Sequence, residues 1–175
     1  MALRATPTSA SMARLTRACN AFLAHLPPQE DLPVSVPLSA QMLTIWPLKV
    51  NGEIDAKRQS CSTMLTEYDL QGGLDAIRDA ISQDHQLQGR GPFLIGWSPS
   101  NTRGMRDAIV LVVDMSDFDS QESFDDAFLF WQRKVVEDPE LWRSGFSLER
   151  VRLAARDFVD RYGKSIESAI KVWGK

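Results

Sequence analysis

Within residues 98–106 fall three hydroxyls, those of Ser98, Ser100 and Thr102, together with the Asn101 amide and the guanidiniums of Arg103 and Arg106. Hydroxyl and amide donors beside a planar guanidinium fork are the groups that grip a phosphate or carboxylate through charge-assisted hydrogen bonds. Asp114 closes the apolar run that follows and is the candidate acid or base for anything held there. Ser98, Ser100, Asn101, Arg103, Arg106 and Asp114 therefore make up a candidate ligand site for an anionic metabolite. A solvated hairpin loop is the plainer use of the same residues. No matched nucleophile, base and orienting acid accompanies them, so catalytic residues are not assigned. Trp46, Trp97 and Trp142 are candidates of a second kind, large amphipathic side chains that anchor a partner surface where they are exposed together.

Two apolar runs must position that loop. Phe93-Leu94-Ile95 and residues 108–113, Ala-Ile-Val-Leu-Val-Val, are rich in strand formers and bounded by turn residues. Their connection is too short for a crossover helix, which predicts antiparallel neighbours. Met42-Leu43-Thr44-Ile45-Trp46 and Ser62-Thr63-Met64-Leu65-Thr66 have strand-like composition, with a hairpin signal at Asn51-Gly52 between them. Gly72-Gly73 opens a helix with Leu74, Ile77 and Ile81 on one stripe. Asp119 and Glu122 have the spacing of a capping box, predicting a helix whose Phe124, Phe128, Trp131 and Val135 form an aromatic face that Pro139 ends. Ser147 caps a last helix, whose stripe Leu148, Val151, Ala155, Phe158, Tyr162, Ile166, Ala169 and Trp173 keeps helical spacing, with Gly163 marking a bend. Asp157 with Arg161, Asp160 with Lys164, and Glu167 with Lys171 have the spacing of helix ion pairs.

Composition bounds the rest. The chain has 175 residues, 43% hydrophobic and 25% charged, the profile of one ordinary globular domain. A net charge of −3 argues against general nucleic-acid binding, and no apolar run is long enough to span a bilayer. The charge is polarised. Residues 1–29 carry Arg4, Arg14 and Arg17 and no acid, whereas residues 107–141 set ten acids against Arg133 and Lys134. Residues 1–28 read as an N-terminal helix with the stripe Met12, Leu15, Cys19, Phe22 and Leu26, or as a leader-like segment. Residues 29–40 form a proline-rich linker and residues 41–175 a single α+β domain. Cys19 and Cys61 belong to no CxxC pair, and whether they bond to each other is open. The expected compartment is the cytoplasm, with export or organelle targeting left open by the first segment.

Three short stretches resemble known families. Gly96-Trp97-Ser98-Pro99-Ser100 is similar to the Gly-x-Ser-x-Gly elbow of α/β hydrolases, but it ends in serine, and His25 and His85 both precede Ser98 where hydrolase order places the histidine last. Val113-Asp114-Met115-Ser116 resembles the start of the Asp-x-Ser-x-Ser metal site of von Willebrand A-type domains. Its third ligand position is Phe118, which has no oxygen to donate, so no metal is expected. Residues 109–135 resemble a strand-to-helix segment of Ras-like GTPases. With neither GxxxxGK[ST] nor NKxD in the chain, no nucleotide function is implied.

The order of elements predicts an α+β fold, a layered sandwich of about four mixed or antiparallel strands with helices packed on one face and two C-terminal helices. The function expected from polarised faces and an aromatic core, without a complete catalytic set, is a non-catalytic protein-interaction or assembly module. A small enzyme or ligand-binding domain for an anionic metabolite is the alternative. A protein partner or a homo-oligomer fits the first reading, and no cofactor is expected.

Overall fold

The computed structural model describes residues 1–26, 44–49, 60–82, 85–98, 103–105, 108–137, 148–162 and 164–174. Among them, five α-helices and a three-stranded sheet form an α+β fold. In chain order these are α1 (Ser9–His25), α2 (Cys61–Thr66), α3 (Leu70–Ala80), β1 (Phe93–Ser98), β2 (Ile109–Asp114), α4 (Gln121–Trp131), α5 (Leu148–Tyr162) and β3 (Ile170–Gly174). A π-helical segment, Gln132–Val136, extends α4, and a 3-10 segment, Lys164–Ala169, leads from α5 into β3.

The strands run β1-β2-β3, antiparallel throughout. The β1–β2 pairing expected from the short connection is present, with Phe93 opposite Asp114 and Ser98 opposite Ile109. β3 comes from residues read as helix. The stripe from Leu148 to Trp173 is helical only as far as Tyr162, after which Ile170 to Gly174 pair with β2. An open edge on β2 offers ladder hydrogen bonds, and pairing there buries Trp173. Lys171 therefore lies in a strand, not on the helix that the Glu167–Lys171 spacing assumed, and its ammonium meets Asp114 at 2.7 Å. Asp157 meets Lys134 at 2.6 Å.

Two other expectations change. Ser62 to Thr66 lie in α2, not in a strand. The Ser60 hydroxyl accepts from the Thr63 N–H as an N-cap, and Met64 and Leu65 are buried on the inner side, so capping and packing override strand-like composition. Thr44, Ile45 and Trp46 are irregular, and a single antiparallel bridge from Leu48 to Tyr68 is the pairing found there. Met42, Leu43, Asn51-Gly52 and the proline-rich linker to its last residue lie outside the described residues. In α4 the cap is Ser120, accepting from the Ser123 N–H at 3.1 Å, in place of Asp119. The predicted aromatic face of Phe124, Phe128, Trp131 and Val135 is buried as expected.

Alternation along the strands divides the core. One face, with Leu94, Leu111 and Val113, packs against α1, α2, α4 and α5 through Leu15, Met64, Phe128 and Phe158. The other, with Phe93, Val110, Val112 and Trp173, meets Ile77 and Ala80 of α3. Helices therefore lie on both faces, not on one. The stripe Leu15, Cys19 and Leu26 of the N-terminal segment is buried in the larger cluster, while Met12 stays 39% exposed. Arginines of this segment serve backbone carbonyls: Arg14 donates to Met115, Ser116 and Gly91, and Arg4 to Leu87 and Gly89. A disulfide joins Cys19 of α1 to Cys61 at the start of α2.

Candidate functional site

The register separates the two halves of the sequence-derived site. Ser98 pairs with Ile109 and Asp114 with Phe93, so Ser98 and Asp114 sit at opposite ends of the hairpin. Five residues of strand, at about 3.4 Å each, put them roughly 17 Å apart. Arg103 is committed elsewhere, to Asp79 at 2.8 Å and over the Trp97 ring at 5.1 Å. Ser100, Asn101 and Arg106 lie outside the described residues, as does Trp142. The described members of the set are thus not brought together. Trp46 is a core residue at 6% exposure, held edge-on to Phe22 and Tyr68 and donating to the Met64 carbonyl, so it offers no surface to a partner. Trp97 is half-buried against the smaller core cluster.

Asp114 has a structural role. Burial pushes its carboxyl up, but the hydrogen bonds from Lys171 and Ser116 outweigh that and hold it below the ordinary carboxylate range. The Ser116 hydroxyl donates to Asp114 Oδ1 and accepts from the Gly91 N–H, which locks the turn after β2. Phe118, at the third position of the metal-site resemblance, is buried in the core. Among the described residues no cluster of three or more His, Cys, Asp or Glu side chains is placed to hold a metal. Of the histidines, His25 faces Asp125 at 3.3 Å and His85 stacks on Trp173 at 5.1 Å.

A concave site occurs elsewhere, a groove of about 510 Å³ between α5 and β3. Arg152, Ala155 and Arg156 of α5 form one wall, His85 and Gln86 border it, and four consecutive residues, Ile170, Lys171, Val172 and Trp173, run along it. Successive strand side chains point to opposite faces, so a concavity touched by four in a row lies against the strand's edge. Among the described residues the lining contains three cations, Arg152, Arg156 and Lys171, and no acid, in a chain of net charge −3. Lys171 is partly neutralised by Asp114. Arg152 and Arg156 are exposed, and neither closes an ion pair with a described residue, although Glu149 and Asp160 stand three and four positions away on the same helix. The aromatic border is fixed. The Trp173 indole N–H donates to the Ala80 carbonyl at 3.1 Å, and the His85 ring, stacked on it, is held through Ser82.

Protein-family models, curated proteins and solved structures were compared with the chain, and none matches it. Among the described residues no helix is long and apolar enough to cross a membrane.

The groove escaped the sequence because half of it was read in the wrong conformation. Arg152 and Arg156 fall on the last helix that the sequence predicts, but so do Lys171 and Trp173, which the structure puts in β3. The signal that could have found them is Ile170-Lys171-Val172-Trp173, β-branched residues alternating with others beyond the helix-weakening Gly163.

Proposed function

We propose that the chain is a non-catalytic recognition module that takes an acidic segment of a partner protein into the groove between α5 and β3. The observation that carries this reading is the pair Arg152 and Arg156, exposed on one wall and, among the described residues, without an acidic partner or an acid in the surrounding lining. Two guanidiniums left open four residues apart on one helix face favour carboxylates arriving from outside. The metabolite alternative loses its main support, since Asp114 and Ser98 stand at opposite ends of their hairpin.

The test is titration of a labelled, capped decapeptide alternating glutamate with threonine, and of its lysine counterpart, into the chain and into the double variant Arg152→Glu/Arg156→Glu. Both positions are exposed, so the variant should keep its fold, which circular dichroism checks. The acidic peptide should bind, weaken as salt rises, and lose about tenfold or more in affinity in the variant, while the lysine peptide stays unbound. Acidic-peptide affinity indifferent to both substitutions overturns the reading. Displacement of the peptide by inorganic phosphate or citrate at matching affinity does so too, and returns the groove to the anionic-metabolite alternative.

A further inference from the structure

The sheet has two outer edges, and the structure treats them differently. On β1, the Phe93 N–H and C=O are taken by Ala2, at 2.9 and 2.8 Å. That bond pair sets the hydrogen-bonding parity of the whole sheet, because in antiparallel ladders a residue's N–H and C=O point to one side and those of its neighbours to the other. Phe93 points away from β2, so Leu94, Gly96 and Ser98 point toward it, opposite Val113, Leu111 and Ile109. The bond from the Met115 N–H to the Pro92 carbonyl agrees with this parity. Val112 and Val110 then face β3, where they pair with Lys171 and Trp173. The backbone groups of Ile170, Val172 and Gly174 are left facing outward, and among the described residues no strand pairs with them.

From this we infer that the partner segment enters the groove as an extended strand, adding to the outer edge of β3 through the outward N–H and C=O groups of Ile170, Val172 and Gly174, with its acidic side chains on Arg152 and Arg156. The inference rests on the proposed function and states how that recognition is made. Strand addition is an established mode of peptide binding, in which main-chain bonds supply affinity and alternate side chains supply specificity.

Two features of the edge suit it to this use. Natural sheets commonly guard an edge by setting a lysine over it. Here the edge lysine, Lys171, is drawn back onto Asp114, and among the described residues no strand pairs with the outward backbone groups. The spacings also match. Four residues of helix, the step from Arg152 to Arg156, rise about 6 Å, and two residues of strand rise about 6.8 Å, so alternate acids of an added strand fall at nearly the arginine interval. A second copy of this chain is the poorer occupant, because symmetric pairing of β3 with β3 would set two arginine-bearing walls against each other.

The experiment uses the intact chain and the same glutamate–threonine decapeptide, N-methylated at every second residue in either of two parities, with amide hydrogen exchange read residue by residue. Methylation of one parity should cost about tenfold or more in affinity, since it removes the amides that face β3, and methylation of the other should cost little. On binding, the amides of Ile170, Val172 and Gly174 should gain protection, while those of Lys171 and Trp173, already in the ladder, change little. Equal affinity for both methylated peptides, or no new protection at the three outward amides, overturns strand addition even where binding still depends on Arg152 and Arg156. Loss of that arginine dependence instead overturns the proposed function, and with it this inference.

Discussion

Asp114 shows how a residue's chemistry is settled by its neighbours. At the end of a strand and two residues before a serine, it has the look of an acid, a base or a metal ligand. In the fold its two oxygens are spent on Ser116 and Lys171, and the turn that follows is organised around them. Its carboxyl is held below the ordinary range, so it contributes stability that is present above its unfolded value near about 4 and is lost as pH falls through the folded value. Asp114→Asn should therefore lower the melting temperature at pH 7 and flatten its fall below about pH 4. Thermal melts of both proteins across that range check this, and parallel curves would contradict it. Tyr68 has an equally structural use. Burial pushes its phenol up to about 12, against the lowering effect of the Leu3 N–H that its oxygen accepts at 2.7 Å. Gly73 lets that hydroxyl approach, since a Cβ there would stand 2.1 Å from it. The glycine pair that looked like the opening of a helix lies inside α3, where one member makes room for a tertiary contact.

Element by element, legibility followed the strength of local signals. β1 and β2 are continuous apolar runs, and α4 with its π-helical extension carries Phe124, Phe128, Trp131 and Val135 at helical spacing, so each could be read directly. The start of α4 missed by one residue because both Asp119 and Ser120 have capping chemistry, and only the backbone decides which side chain reaches the free N–H groups. Ser120→Ala should cost about 1 kcal/mol of stability and Asp119→Ala clearly less, measured by urea denaturation. The reverse order would return the cap to Asp119. α2 and β3 were misread in opposite directions. Ser62 to Thr66 hold two threonines beside apolar residues, strand-like composition that a good cap and a buried inner side convert to helix. Ile170 to Gly174 sit on a helical stripe that continues by coincidence of spacing, and an open sheet edge converts them to strand. In both cases a contact distant in sequence outweighed a local preference of a few tenths of a kcal/mol per residue.

At the scale of the molecule, the Cys19–Cys61 disulfide joins two helices across a sequence separation of 42 residues. In the chain-entropy account, closing a loop of that length is worth about 4 kcal/mol. Reduction, or Cys61→Ser, should lower the unfolding free energy by about 2 to 4 kcal/mol in urea titrations with and without reductant, and a change below about 1 kcal/mol would show the bond to be incidental. The proposed groove is likewise a property of the assembled molecule, since its wall is helix, its edge is strand and its aromatic border comes from the segment after α3. The amino-acid order by itself determined the α+β class, the antiparallel β1–β2 pair, the buried aromatic face of α4 and the uneven distribution of charge, because each rests on periodicity or composition within a short window. Only the tertiary structure decided that Asp114 and Ser98 lie apart, that Trp46 is core, that Cys19 meets Cys61, and that Arg152, Arg156 and Lys171 share one groove. Those outcomes depend on strand register and on which edge the last residues join, and both are set by burial and hydrogen bonding between segments that no local pattern connects.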